Sequence, residues 1–398
     1  MVTKRLSILV ATGGYYPGKK YMGITTSRSN FVAAMKDTYN IYILTVNHDY
    51  GEVEPYKTVK KGWNEIDGIN ICYLPEKEIT KEKVKAIIKD MRIDLVYASG
   101  TITSYFNFNR AVFDAANEKN TAIIVTPDGD LNISALKVKY AKKMIAVLLC
   151  RILGAFKGVF FQATSEEEAG CVKHILGVNE KFIFNIPFFR HPMETHRKKP
   201  KEIGRLEVVY AARIHPIKNL KVAIQAICES EQEISFDIYG MVDDENYWSE
   251  CKELIQGCKK KNVQIKYCGE LSPDKACTVY RNYDCMILPT KGENYCFSIE
   301  EALSCGCPVI ISKGTTPWDD IDYVAGYTVD ENTPGGYVKA LSQIGQMNAI
   351  EYTKLVNSVV HYMREKDKIE LLKAQYDKMF YKASNEKLTI NRKERERV

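Results

Sequence analysis

The sequence predicts an α/β protein of two tandem doubly wound units, each a parallel sheet covered by helices, facing one another across a cleft. Three observations lead there. Short β-branched and aromatic runs alternate with helical patterns along most of the chain. The alternation breaks once, in FNIPFFRHPMETHRKKPKEIGR (184–205), where prolines and charges cluster and periodicity is lost. A chain of 398 residues with 45% hydrophobic side chains can also bury more than one core.

Taken in order, the strands expected in the first half are SILVATG (7–13), NIYILTVN (40–47), DLVYASG (94–100), TAIIVTP (121–127) and GVFFQATS (158–165). Amphipathic stretches such as KEKVKAIIKDM (81–91) and YFNFNRAVFDAANEK (105–119) lie between them. Residues 1–190 thus form a first domain, and 191–205 a linker. The alternation restarts with LEVVYAARI (206–214), ISFDIYG (234–240), VQIKYCG (263–269), CMILPT (285–290) and CPVIIS (307–312), giving a second domain over 206–365. From about Glu351 the pattern is purely helical; 366–385 reads as a helix that can return to the first domain, and 386–398 as a charged tail that frays.

Composition excludes several classes. No apolar run reaches the roughly 18 residues of a membrane span. The opening MVTKRLSILVATGG lacks a full apolar stretch and a cleavage site, so it reads as a first core strand and not a signal peptide. The twelve cysteines are dispersed without a C-x-x-C pair, which suits buried thiols in a reducing compartment and no zinc site. The net charge of +6 is uneven, +7 over residues 1–190 and about −1 beyond. That suits an anionic partner but is too mild to argue nucleic acid.

Ligands of open α/β sheets bind at the carboxyl ends of the strands, so motifs placed there carry the chemistry. In ARIHPIKNL (212–220), Arg213 and Lys218 flank a turn with Pro216, and a guanidinium with an ammonium suits a diphosphate. Two solvated surface cations is the competing reading. In KGENYCFSIEEALSCGCPVI (291–310), Ser298 to Glu301 fits a capping box opening a helix that Gly306 and Pro308 stop. Such an N-terminus is a ready phosphate site. Glu293 before the helix and Glu301 in its first turn make sense beside a phosphate if each accepts hydrogen bonds from hydroxyls, one set on a sugar and one on a ribose. A third loop, ATGGYYPGKKYMGITTSRSNF (11–31), has glycines that allow close backbone approach, without the G-x-G-x-x-G of a dinucleotide site.

Together, R-x4-K after a strand, E-x7-E about 75 residues later and a Gly-x-Pro-Val strand resemble the retaining glycosyltransferases of family 4 with the GT-B fold of two Rossmann-like domains. TSEEE (164–168), DIYG (237–240) and TPWDD (316–320) add to the likeness, which covers nearly the whole chain. It is similar in particular to the bacterial branch of cell-surface polysaccharide assembly. The resemblance implies that Arg213 and Lys218 bind the donor diphosphate, Glu293 the donor sugar and Glu301 the ribose hydroxyls. It implies sugar and phosphate contacts from the amides around Tyr295, Cys296, Phe297 and Ser298. It puts Gly23 near the diphosphate, and Gly240 and the strand end at Cys268 to Leu271 near the nucleobase. The chain departs from the family at Cys296, where glycine is usual, at Phe297, where His is frequent, and at Met22-Gly23, in place of a Gly-Gly pair.

The implied function is transfer of a sugar, with retention, from a nucleoside-diphosphate sugar to a glycan or lipid-linked glycan, in the cytoplasm or at the inner face of the membrane, with no metal. No nucleophile for a covalent intermediate stands out. Thr101 to Ser104, Asp128 and Asp130 are candidates to orient the acceptor; TPDGD is also a D-x-D pair, of the kind that can hold a divalent metal or simply shape a turn. The stretch ALKVKYAKKMIAVLLCRILGAFKG (135–158) reads as a basic amphipathic helix, either lying on anionic lipid or covering a core. No histidine, including His215, is assigned as a catalytic base. A nucleotide-sugar hydrolase or epimerase of the same fold, and a catalytically inactive sugar-nucleotide-binding subunit, remain alternatives.

Overall fold

A computed structural model describes residues 5–18, 20, 22–131, 140–190, 201–271, 273–366 and 368–395. The chain divides into two compact units, Met1–Phe189 with Ile369–Val398, and Arg190–Lys368.

The first unit is built on β1 (Ser7–Thr12), β2 (Asn40–Val46), β3 (Gly62–Ile66), β4 (Ile69–Leu74), β5 (Leu95–Ser99), β6 (Ala122–Thr126), β7 (Phe160–Ala163) and β8 (Ile183–Asn185). They form one sheet in the order β3-β4-β2-β1-β5-β6-β7-β8. Pairing is parallel except at the edge, where β3 runs antiparallel to β4. Every residue of β1, β5, β6 and β7 is buried, because helices cover both faces of a parallel sheet. Those helices include α1 (Met22–Met35), α2 (Lys81–Asp90), α3 (Arg110–Glu118), α4 (Tyr140–Ile152) and α5 (Glu166–Cys171). Thr80 caps α2 by accepting from the Lys83 amide, and Ser165 caps α5 by accepting from the Glu168 amide.

Three of these strands are absent from the sequence expectation. The β3–β4 hairpin turns at Asp67-Gly68, both at positive φ, the Asp-Gly signature of a tight hairpin. Its strand GWNEI is a polar edge, so it lacks the apolar run used to find the others. Residues 105–109 form a π-type turn before regular α3 begins. The expected helix over 135–158 is helical from Tyr140 to Ile152; its first part, with Lys137 and Lys139, lies outside the described residues.

The second unit holds β9 (Arg205–Ala211), β10 (Glu233–Tyr239), β11 (Val263–Tyr267), β12 (Cys285–Leu288), β13 (Val309–Ser312) and β14 (Gly326–Val329). All are parallel, in the order β11-β10-β9-β12-β13-β14. Around them lie α6 (Leu220–Glu229), α7 (Glu245–Gly257), α8 (Pro273–Tyr280), α9 (Phe297–Ser304), α10 (Pro334–Gly345) and α11 (Ala349–Lys366). The order reverses beside β9, which makes the carboxyl ends of β9 and β12 the topological switch point. A disulfide joins Cys277 on α8 to Cys305 at the end of α9. This corrects the expectation of thiols throughout: helix packing places two cysteines 28 residues apart with Cα atoms at 5.4 Å, within disulfide range.

The last helix, α12 (Ile369–Arg395), completes the first unit. Tyr376, Met379, Phe380 and Ala383 recur at helical spacing and are buried against Phe31, Tyr97 and Phe189. Gln162 donates to the Tyr376 hydroxyl at 2.7 Å. The charged end that was expected to fray is helical as far as Arg395. Of the expected linker, 191–200 lies outside the described residues, and β9 already begins at Arg205. Among the described residues no helix is long and apolar enough to cross a membrane.

Candidate active site

Two loops at the switch point of the second unit are tied together by backbone. The loop after β9 runs from Ala212 to Asn219, and the loop after β12 from Pro289 to Cys296. The Lys291 amide donates to the Ile217 carbonyl at 2.8 Å, and Thr290 Oγ1 lies 3.2 Å from the same carbonyl. Asn332 bridges from the other side. Its side-chain amide donates to the Pro289 and Thr290 carbonyls at 3.1 and 3.3 Å, and its Oδ1 accepts from Asn219 at 3.2 Å. The loops therefore form one rigid floor, although 70 residues of sequence separate them.

On that floor Lys218 Nζ lies 2.5 Å from Glu293 Oε1, with both side chains largely withdrawn from water. Thr290 Oγ1 donates to the same oxygen at 2.9 Å, and the Glu293 amide donates to the Thr315 carbonyl at 2.8 Å. Lys218 and Glu293, assigned from sequence to separate parts of a ligand, thus meet directly. Arg213 does not join them: its Nη1 pairs with Asp243 Oδ2 at 2.7 Å and its side chain is half exposed.

The helix that follows starts differently from the expectation. Its N-cap is Cys296, at φ 64° and ψ 75°, with no side-chain cap; Ser298 is the second helical residue and Glu301 the fifth. The capping box from Ser298 to Glu301 is therefore not formed, and Glu301 is in the second turn. The cause is the reversal at Cys296, which starts the helix before Ser298. Aromatic packing pins that reversal, with Tyr295 4.9 Å from Phe297 and 5.4 Å from Trp318, whose indole donates to the Tyr295 carbonyl at 2.5 Å. The positive end of the α9 dipole falls at Cys296 to Ser298. Left-handed backbone is where glycine is favoured, so Cys296 occupies this φ at a cost. The Cys296 thiol is buried, which pushes it up to about 11, with Glu293 adding to the rise.

Glu301 is half-buried. Burial pushes its carboxyl up to about 8, and the neighbouring Glu300 adds to the shift. Gly240 directly follows β10 at φ 153°, and a Cβ there would lie 1.8 Å from the Ala212 carbonyl oxygen. Its need for glycine thus comes from the backbone of the neighbouring loop. Nearby, the Tyr267 hydroxyl donates to the Gly240 carbonyl at 2.9 Å and its ring lies 4.8 Å from Trp248. Gly23 is an exposed residue in the first turn of α1, in the first unit.

The acids of TPDGD face inward. Asp128 pairs with buried Arg28 at 3.0 Å and accepts from Thr126 at 3.1 Å; Asp130 accepts from the amide and hydroxyl of Thr101 at 3.1 and 3.3 Å. They are turn and network residues of the first unit, as the turn reading of TPDGD has it. Sequence reasoning missed Thr290, Thr315, Asn332 and Asp243. Thr290 reaches Ile217 across 73 residues, Asn332 reaches Asn219 across 113 and Asp243 reaches Arg213 across 30, and contacts of that span leave no local motif.

Residues 193–374 match the family model described as "Glycosyl transferases group 1". Among solved structures, HepE of Anabaena in complex with UDP and glucose is similar with a TM-score of 0.70 at 14% identity, covering 95% of this chain and 100% of that one. Sucrose-phosphate synthase of Thermosynechococcus elongatus gives a TM-score of 0.69 at 12% identity, covering 95% and 99%. A glycosyltransferase from Rickettsia africae ESF-5 gives 0.67 at 15% identity, covering 96% and 99%. These likenesses show the fold, the GT-B arrangement of two Rossmann-like units. No curated protein sequence matches the chain.

Proposed function

We propose that the chain is a retaining glycosyltransferase of the family 4 type, moving a sugar from a nucleoside-diphosphate sugar to a glycan or lipid-linked glycan in cell-surface polysaccharide synthesis. The observation that carries this reading is the meeting of Lys218 with Glu293 beside the uncapped N-terminus of α9, inside the segment that matches the glycosyl transferases. A cation, a helix dipole and two carboxylates around one switch point suit a ligand with phosphates at its centre and hydroxyls at both ends.

In this reading the donor diphosphate sits against Lys218 and the first turn of α9, with Arg213 swinging from Asp243 to join them. These charges stabilise the departing nucleoside diphosphate as the glycosidic C–O bond breaks and positive charge develops on the sugar ring. The acceptor hydroxyl attacks on the same face, and its proton passes to the leaving phosphate oxygen. Glu293 holds sugar hydroxyls and Glu301 the ribose. Gly240 and the end of β11 border the nucleobase. Because protein groups supply the positive charge, no metal is required. We place the protein in the cytoplasm at the inner face of a membrane, in peripheral contact with it.

A second reading, an inactive sugar-nucleotide-binding subunit, draws on the same contact, since Lys218 and Glu293 each occupy the other. A thermal-shift panel of UDP, GDP, ADP and CMP, with and without Mg²⁺, tests the site. One nucleoside diphosphate should raise the melting temperature by several degrees, without need of Mg²⁺, and Lys218→Ala should abolish the rise. Flat curves for all four would overturn the assignment. Binding without acceptor-dependent transfer would favour the inactive subunit, and acceptor-independent turnover a hydrolase or epimerase.

A further inference from the structure

Helix α4 is apolar on the side that faces water. Of its residues, only Val147 and Cys150 are buried, against the first unit's core. Ile145, Leu148, Leu149 and Ile152 are 61%, 57%, 44% and 72% exposed, and Leu153 just beyond is 54% exposed. At about 100° per residue, Ile145, Leu148, Leu149 and Ile152 fall within an arc of roughly 100° centred directly opposite Val147 and Cys150. A surface helix ordinarily places polar side chains there. Here the exposed cations Lys142 and Arg151 stand on the two flanks of the stripe instead.

We propose that this face of α4 is the surface by which the protein docks on an anionic lipid bilayer, with the stripe entering the acyl boundary and Lys142 and Arg151 meeting headgroups. The inference deepens the membrane location proposed above and rests on it, while the surface itself lies on the first unit and is separate from the nucleotide site. Charge selects the occupant. Residues 1–190 carry a net +7, and the flanking cations complement an anionic surface. A second copy seated on the same stripe would set two net-positive surfaces against each other.

The test is co-sedimentation of the full chain with phosphatidylcholine vesicles, alone and with about a third phosphatidylglycerol. The wild type should pellet with the mixed vesicles and far less with the neutral ones. Leu148→Glu with Ile152→Glu should weaken that binding by at least about tenfold, and Lys142→Glu with Arg151→Glu should weaken it on the anionic vesicles alone. All four side chains are exposed, so the melting temperature and the nucleotide-induced shift should stay at wild-type values. Equal binding by wild type and the Leu148/Ile152 variant, or no binding by either, would overturn the proposal. So would a concentration-dependent dimer in sedimentation velocity that the same variant abolishes. Nucleotide binding that survives such a failure would leave the transferase reading standing.

Discussion

The Lys218 ammonium and the Glu293 carboxylate form an enclosed pair at 2.5 Å, and Thr290 donates to the same Glu293 oxygen. An enclosed pair is costly to halve, because the surviving charge keeps its desolvation and loses its partner. Lys218→Ala should therefore lower stability by about 3 kcal/mol. It should also lower transfer by about 10²- to 10³-fold, as removal of one transition-state contact does. Adding Glu293→Gln should restore much of the melting temperature without restoring transfer. Wild-type turnover by the single variant would remove Lys218 from the site.

Glu301 gives the site a pH signature. Its folded carboxyl is raised to about 8 by burial and by Glu300, above the ordinary value of 4.5. A raised acid favours the protonated folded state, so its contribution is fully present below pH 4.5 and is lost as pH rises through about 8. Stability of the wild type should fall across that window by a few kcal/mol, and Glu301→Gln should flatten the fall. A ribose diol donating to this carboxylate needs the ionised form, so nucleotide affinity should rise with pH up to about 8 and then level. Calorimetric titration across the window checks both; a pH-independent affinity would detach Glu301 from the ribose.

Cys296 at φ 64° sets two opposed substitutions against one another. Glycine adopts this backbone freely, while a β-branched residue adopts it poorly. Cys296→Gly should keep the melting temperature within a few degrees of wild type, since strain relief of about 1 kcal/mol offsets lost burial and added chain entropy. Cys296→Val should cost at least about 2 kcal/mol. Equal melting temperatures for the two would contradict the positive φ.

In the first unit Arg28 is fully buried. It donates to Ser99 at 2.7 Å, bonds Thr126 and pairs with Asp128, whose carboxyl burial raises against the opposing pull of Arg28. Arg28→Met should cost about 3–5 kcal/mol by urea denaturation, because it strands that carboxylate. The double change with Asp128→Asn should cost markedly less.

What the sequence revealed follows physical lines. Strands buried on both faces, such as β1 and β12, announce themselves as apolar runs. The edge strand β3 does not, and its Asp67-Gly68 turn was the signal available. Ser298-x-x-Glu301 reads as a helix start, yet the backbone reversal at Cys296 and the Tyr295–Trp318 contact decide the boundary. Local pattern cannot express a contact made 23 residues away. Gly240 shows the converse. Its residue type invites a ligand role, while the Ala212 carbonyl is sufficient reason for a glycine there. Asn332 could not have been found by pattern, since only the fold carries it to Thr290.

The second unit is, in chain order, an insertion between Phe189 and the helix that begins at Ile369. During synthesis the first unit emerges first but is finished last. The seat of Tyr376 and Phe380 beside Phe31 and Tyr97 waits, uncovered, until the second unit has been made. A nick or early stop after Lys368 is then a lesion of the amino-terminal half, and residues 1–189 expressed alone would carry an aromatic wound where α12 belongs. Integrity of the first unit thereby reports that synthesis has run through the whole of the second unit.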